Sequence, residues 1–179
     1  SEQDAANSGG SGGTSGSGGT AGSGGTAGSG GTAGSCIHDD VEPNDTDAEP
    51  QVLDSINDCD NNGDVVSGTL EGGGDKDWFT FHGDDVFGCL VNPSFSFQSS
   101  ASALMCAYFI CDNGGDNINC PTGSSTDTSP GGLSGCCTTT GSMEPDINCS
   151  GTDDSAQVYF LVYAPSNTAC QSYSVSYHY

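Results

Sequence analysis

The sequence predicts an all-β protein: an antiparallel β-sandwich of jelly-roll-like form with disulfide-stapled loops over residues 36–179, behind an extended stem at 1–35. Three observations carry that prediction. Beyond Cys36 the apolar residues fall in short alternating runs rich in aromatic and β-branched types, with Gly, Asn, Asp and Pro between them. No stretch has the three-to-four-residue apolar spacing of an amphipathic helix. Ten cysteines, an even number, are spread across the same region, the pattern of a disulfide-stabilised extracellular fold.

The stem comes first. Every third residue from Gly10 to Gly34 is glycine, and the six-residue unit is Gly-Ser-Gly-Gly-Thr-Ala. Polyproline II and polyglycine II helices turn once in three residues. In that conformation one edge of the stem is all glycine and another is a row of hydroxyls: Ser11, Thr14, Ser17, Thr20, Ser23, Thr26, Ser29, Thr32 and Ser35. A glycine edge admits a second backbone, and a hydroxyl edge accepts O-linked sugar, for which Thr14, Thr20, Thr26, Thr32, Ser11, Ser17, Ser23 and Ser29 are the candidate positions. Gly/Ser composition equally suits a flexible spacer, and strict Gly-X-Y without proline would make only a weak collagen-like helix.

Strands are expected at Val65–Leu70, Asp77–Phe81, Val86–Val91, Phe95–Phe97, Leu104–Ile110, Val158–Tyr163 and Tyr173–Tyr177. In Asp77–Phe81, alternation sends Trp78 and Thr80 to one face and Phe79 and Phe81 to the other, as in a strand covered on both sides. Residues 112–151 are poor in apolar side chains and read as one long loop, held by staples in place of a core. All ten cysteines, 36, 59, 89, 106, 111, 120, 136, 137, 149 and 170, are assigned to disulfides. Adjacent Cys136 and Cys137 cannot bond to each other without strain, so each is expected to reach a different partner.

Charge limits the function. One Lys or Arg stands against 24 Asp and Glu, a net charge of −23, which excludes electrostatic binding to nucleic acid or an anionic membrane and favours cations as partners. No apolar run approaches the length that spans a bilayer, so no membrane insertion is expected. The N-terminus carries neither a leader nor a lipoprotein cysteine, so the expectation is a processed, secreted chain. With no C-x-x-C pair and three histidines, zinc is not expected. His38, His82 and His178 are isolated in sequence, and the one G-x-S-x-G match, Gly9 to Gly13, lies in the stem with no strand before it or helix after it. No enzyme is expected.

Val41-Glu42-Pro43-Asn44-Asp45-Thr46, then Val66-Ser67-Gly68-Thr69-Leu70, then Gly74-Asp75-Lys76-Asp77-Trp78-Phe79-Thr80-Phe81, and finally Tyr159–Tyr163 with Tyr173-Ser174-Val175 resemble bacterial pre-peptidase C-terminal domains. These are compact β-sandwiches related to the collagen-binding domains of bacterial collagenases. The chain departs from that pattern in its ten cysteines, its 112–151 insertion and the lack of an attached peptidase. The resemblance implies calcium held by Glu42, Asn44, Asp45 and Asp77, with Asp40 and Asp75 beside them. Calcium takes six to eight hard oxygen ligands, and carboxylates grouped at strand ends supply that type; the same residues would also suit solvated turns. A second candidate is Asp58, Asp60 and Asn62, where oxygens at positions 1, 3 and 5 with Gly63 at 6 reproduce half of an EF-hand loop. A hairpin turn would share that composition.

Two functional expectations follow. One is a structural subunit of an extracellular fibre or cell-surface assembly, a homo-polymer with the stem packing between subunits. The other is a secreted, calcium-dependent binding module for extracellular polysaccharide or protein, carried on a spacer.

Overall fold

The computed structural model describes residues 42–179, apart from 61, 73, 90, 91, 140 and 166–168. The chain divides into two units, Ser1–Thr32 and Ala33–Tyr179, and all described residues belong to the second. The stem hydroxyls, Cys36, His38 and Asp40 lie outside the described residues.

No helix occurs among the described residues. Thirteen strands do: β1 Gln51–Val52, β2 Ile56–Asn57, β3 Asp64–Leu70, β4 Lys76–Asp84, β5 Ser94–Ser99, β6 Leu104–Cys111, β7 Asn117–Asn119, β8 Ser125–Thr128, β9 Ser134–Thr138, β10 Gly141–Met143, β11 Asp146–Asn148, β12 Ala156–Tyr163 and β13 Gln171–His178. One sheet runs β1-β4-β12-β6-β9-β8, with β2 also on β4; a second runs β10-β5-β13-β3; β11 and β7 form a separate pair. The long pairings are antiparallel, as alternating strands with short turns require. β1 and β2 depart from this and pair parallel to β4, because the segment before β3 runs alongside β4 in the same direction.

Side chains of the two large sheets meet in one core. Phe79 and Phe81 of β4, Phe109 of β6 and Phe160 of β12 join Phe95 and Phe97 of β5 and Tyr173, Val175 and Tyr177 of β13. Phe160 touches the rings of Phe79, Phe81, Phe95 and Tyr177 at centroid distances of 4.9 to 6.4 Å. The opposite face of the larger sheet carries a second cluster of Trp78, Cys106, Tyr108, Cys137 and Leu161, with Trp78 and Tyr108 stacked at 5.5 Å. β4 is therefore covered on both faces, as its alternation predicts.

Two expectations are corrected. Val86–Val91 does not open as a strand: over its described part, residues 86–89, Cys89 N donates to Val86 O at 3.0 Å in a turn, Gly88 takes φ 100° and Cys89 is bonded to Cys59. Residues 112–151 are not one loop, since β7 to β11 all lie there and β8 and β9 widen the larger sheet. These strands escape detection because they are three to five residues long and mostly polar.

The cysteines behave as expected where described. Bonds join Cys59–Cys89, Cys106–Cys137, Cys111–Cys149 and Cys120–Cys136, and Cys170 is also disulfide-bonded. Neighbouring residues of a strand point to opposite faces, so on β9 Cys136 enters the shared core while Cys137 joins the outer cluster.

Candidate functional site

The turn before β4 and the segment before β1 build one acidic site. Gly72 and Gly74 take φ 94° and 103°, conformations open to glycine, and turn the chain so that Glu71 N donates to Asp75 Oδ2. Asp77 has the parity of Phe79 and Phe81, and its carboxylate is carried to the inner side of β4, where the residue is 0% exposed. Residues 42–44 lie alongside, because Trp78 N donates to Asn44 O at 2.9 Å and Asn44 N donates to Glu42 Oε2 at 3.0 Å.

Carboxylate oxygens of Glu42, Asp75 and Asp77 thereby come within 4.8 Å of one another. Like charges at that separation repel, the more so because Asp77 is buried, while Glu42 is exposed and Asp75 half-buried. Asn44, 1% exposed, adds a buried side-chain amide whose oxygen and nitrogen have no hydrogen-bond partner. A buried polar group in that state is costly. A divalent cation among the three carboxylates would relieve their repulsion, and carboxylates are the hard oxygens that calcium takes. Of the predicted ligands the structure gathers Glu42, Asp75 and Asp77, with Asn44 bonded beside them; Asp45 is exposed and outside the carboxylate group.

Sequence reading missed Asp47. Its Oδ2 accepts from Ser129 Oγ at 3.2 Å and from Gly131 N at 2.7 Å, so it fastens the acidic segment to the loop before β9. That contact spans more than 80 residues, and no local signal announces it.

The second predicted set is arranged differently. Asp58, buried, accepts from Val86 N through Oδ1 at 2.9 Å, whereas Asp60 Oδ1 accepts from Asn62 N at 3.0 Å in a local Asx turn. The close ligand group that contains Asp58 pairs it with Cys59 and Cys89, whose sulfurs are in a disulfide and so offer no thiolate. The group of Cys106, Cys137 and Asp127 fails for the same reason.

His82 sits between two carboxylates, Nδ1 at 3.1 Å from Asp84 and Nε2 at 3.0 Å from Asp112, while His178 Nε2 meets Asp60 O. Neither contact places a hydroxyl or thiol nucleophile on the ring. No helix among the described residues is long and apolar enough to cross a membrane. No protein-family model, curated protein or solved structure matches the chain.

Proposed function

We propose that this chain is a non-enzymatic structural subunit of an extracellular assembly, in which a disulfide-stapled, calcium-stiffened β-sandwich of jelly-roll-like form is the body and the Gly/Ser/Thr stem packs between subunits. The resemblance to pre-peptidase C-terminal domains supports the sandwich and the calcium. The observation that supports the reading is the convergence of Glu42, Asp75 and Asp77 within 4.8 Å of one another, close in the chain to the buried, unbonded side-chain amide of Asn44. Disulfides joining widely separated segments suit an oxidising, extracellular setting, and the stem's hydroxyl row supplies the O-glycosylation sites.

Calcium binding to the folded state alone adds RT ln(1 + [L]/Kd) to stability. The melting temperature is expected to fall on adding a chelator and to recover with calcium. Asp77→Asn, which removes one buried charge at little change in volume, should abolish that response and leave the chelated melt unchanged or raised. A wild-type melt indifferent to both reagents would refute the centre.

The assembly role has its own test. Full-length material in negative stain should form filaments, deletion of residues 1–34 should leave a folded monomer, and intact mass should exceed that of the unmodified chain. Filaments of unchanged geometry after the deletion would remove the stem from the contact.

A second reading, a secreted binding module, is favoured by a cavity of about 600 Å³ under the turn after β4, rimmed by an exposed aromatic ring.

A further inference from the structure

The chain holds two Asn-Gly pairs, Asn62-Gly63 and Asn113-Gly114, and the fold treats them in opposite ways. Asn113 donates through Nδ2 to Asp153 Oδ2 at 3.3 Å, and Gly114 N donates to Cys111 O at 3.1 Å. The same turn is braced by Ser150 N, which donates to Gly114 O at 2.7 Å, and by the Cys111–Cys149 bond. Asn62 sits in an exposed bend just before β3. Its backbone N donates to Asp60 Oδ1 at 3.0 Å, but among the described residues neither its side-chain amide nor Gly63 N has a hydrogen-bond partner.

We propose that Asn62-Gly63 is a site of spontaneous covalent modification, where Asn62 passes through a cyclic imide to a mixture of aspartate and isoaspartate while Asn113 is spared. Gly63 N, as the amide anion, attacks Cγ of Asn62. The N–Cγ bond forms, the Cγ–Nδ2 bond breaks and ammonia leaves, closing a five-membered succinimide. Water then opens the ring. Cleavage at the side-chain carbonyl leaves aspartate, and cleavage at the main-chain carbonyl leaves isoaspartate. The sum is asparagine plus water to aspartate plus ammonia, with no oxidant, reductant or cofactor.

Glycine is the residue that admits this attack, since it has no Cβ to crowd the ring. Closure needs a free nucleophile and a side chain able to swing its carbonyl carbon onto it. Asn62 and Gly63 meet both conditions. At Asn113-Gly114 the nucleophilic N–H is already donating and the leaving amide is tied to Asp153, and each such hydrogen bond holds back the reactive arrangement by a factor of about 5. The outcome at Asn62 adds one negative charge to a chain already at −23. A Cβ built on Gly63 would lie 2.5 Å from Tyr177 O, so the bend is closely seated on β13 where Asp64 pairs with Tyr177. Isoaspartate lengthens the main chain there by one methylene and loosens that end of the pairing, whereas aspartate leaves the path of the chain unchanged.

The test is to age the full chain at physiological pH and temperature and to map its peptides by mass spectrometry, with fragmentation that separates aspartate from isoaspartate. Asn62 is expected to accumulate both products at least about tenfold faster than Asn113, because two hydrogen bonds must open first at the latter. In the reduced, denatured chain, where the same dipeptide is free at both positions, the two rates should converge. Asn62→Gln, which removes no side-chain hydrogen bond, should abolish the change at that position and leave the melt unaltered. Asp153→Ala, which frees the Asn113 amide, should speed the reaction at Asn113 about fivefold. Equal rates at the two sites in the folded chain, an Asn62 that stays intact under conditions where the denatured chain reacts, or aspartate without isoaspartate would each overturn the proposal.

Discussion

Tyr108, Tyr177 and Tyr179 are buried phenols whose hydroxyls face acceptors. Tyr108 donates to Asp127 Oδ2 at 2.7 Å, Tyr177 to Asp64 Oδ2 at 3.4 Å and Tyr179 to Asp154 O. Burial first, and the neighbouring carboxylates after it, hold all three well above the ordinary phenol value of 10.0. The neutral form is the one the fold accepts. In the unfolded chain these groups ionise near the ordinary value, so their contribution is complete below about pH 10 and is lost as pH rises above it. Ultraviolet titration should therefore show these phenols ionising only together with alkaline unfolding, and Tyr108→Phe should reduce the steepness of that unfolding with pH. Ionisation of all three near pH 10 in the still-folded protein would contradict the packing. Gly83 is fixed by the same region, since a Cβ there would fall about 1.9 Å from the Tyr179 ring.

Among the elements, β12 joins the most. It pairs with β4 on one side and β6 on the other over its whole length, and its Phe160 meets two rings of its own sheet, Phe79 and Phe81, and two of the other, Phe95 and Tyr177. Truncation of a fully buried phenylalanine costs the lost transfer energy and leaves a cavity. Phe160→Ala is expected to lose about 3–5 kcal/mol in denaturant unfolding, with an unchanged slope if the native core closes round the gap. A loss below about 1 kcal/mol would mean that the ring contacts are not the centre of the core. β1, two residues long, has little core of its own; its pairing with β4 instead brings Glu42 and Asn44 to Asp75 and Asp77.

At the scale of the molecule, a charge of −23 sets the cost of compaction. Self-repulsion of like charges opposes the folded state and is screened by salt over a Debye length of about 8 Å at physiological strength. The melting temperature should rise with sodium chloride even in chelator, and calcium should raise it further at concentrations too low to alter screening. The two effects separate by concentration. If micromolar calcium did no more than an equal ionic strength of sodium, specific binding would be disproved and only screening would remain.

Strand positions were readable where short runs of aromatic and β-branched residues are bounded by turn residues: Val65–Leu70, Asp77–Phe81, Leu104–Ile110, Val158–Tyr163 and Tyr173–Tyr177 all fall within strands. The separate partners of Cys136 and Cys137 were readable for a different reason, the strain of a disulfide between adjacent residues. The oxygen donors of the proposed cation site were legible in Glu42, Asn44, Asp75 and Asp77, but their meeting depends on the 42–52 segment lying along β4, a contact between segments some 30 residues apart. Folding alone decided the rest: β7 to β11 are strands because neighbours pair with them, since three to five mostly polar residues are too few to establish a period. Val86 is drawn into a turn by Asp58 and by the Cys59–Cys89 bond, and the cavity at Phe87 collects aspartates from three distant segments. Contacts of that range leave no local trace, because alternation and turn composition record only what each residue does with its near neighbours.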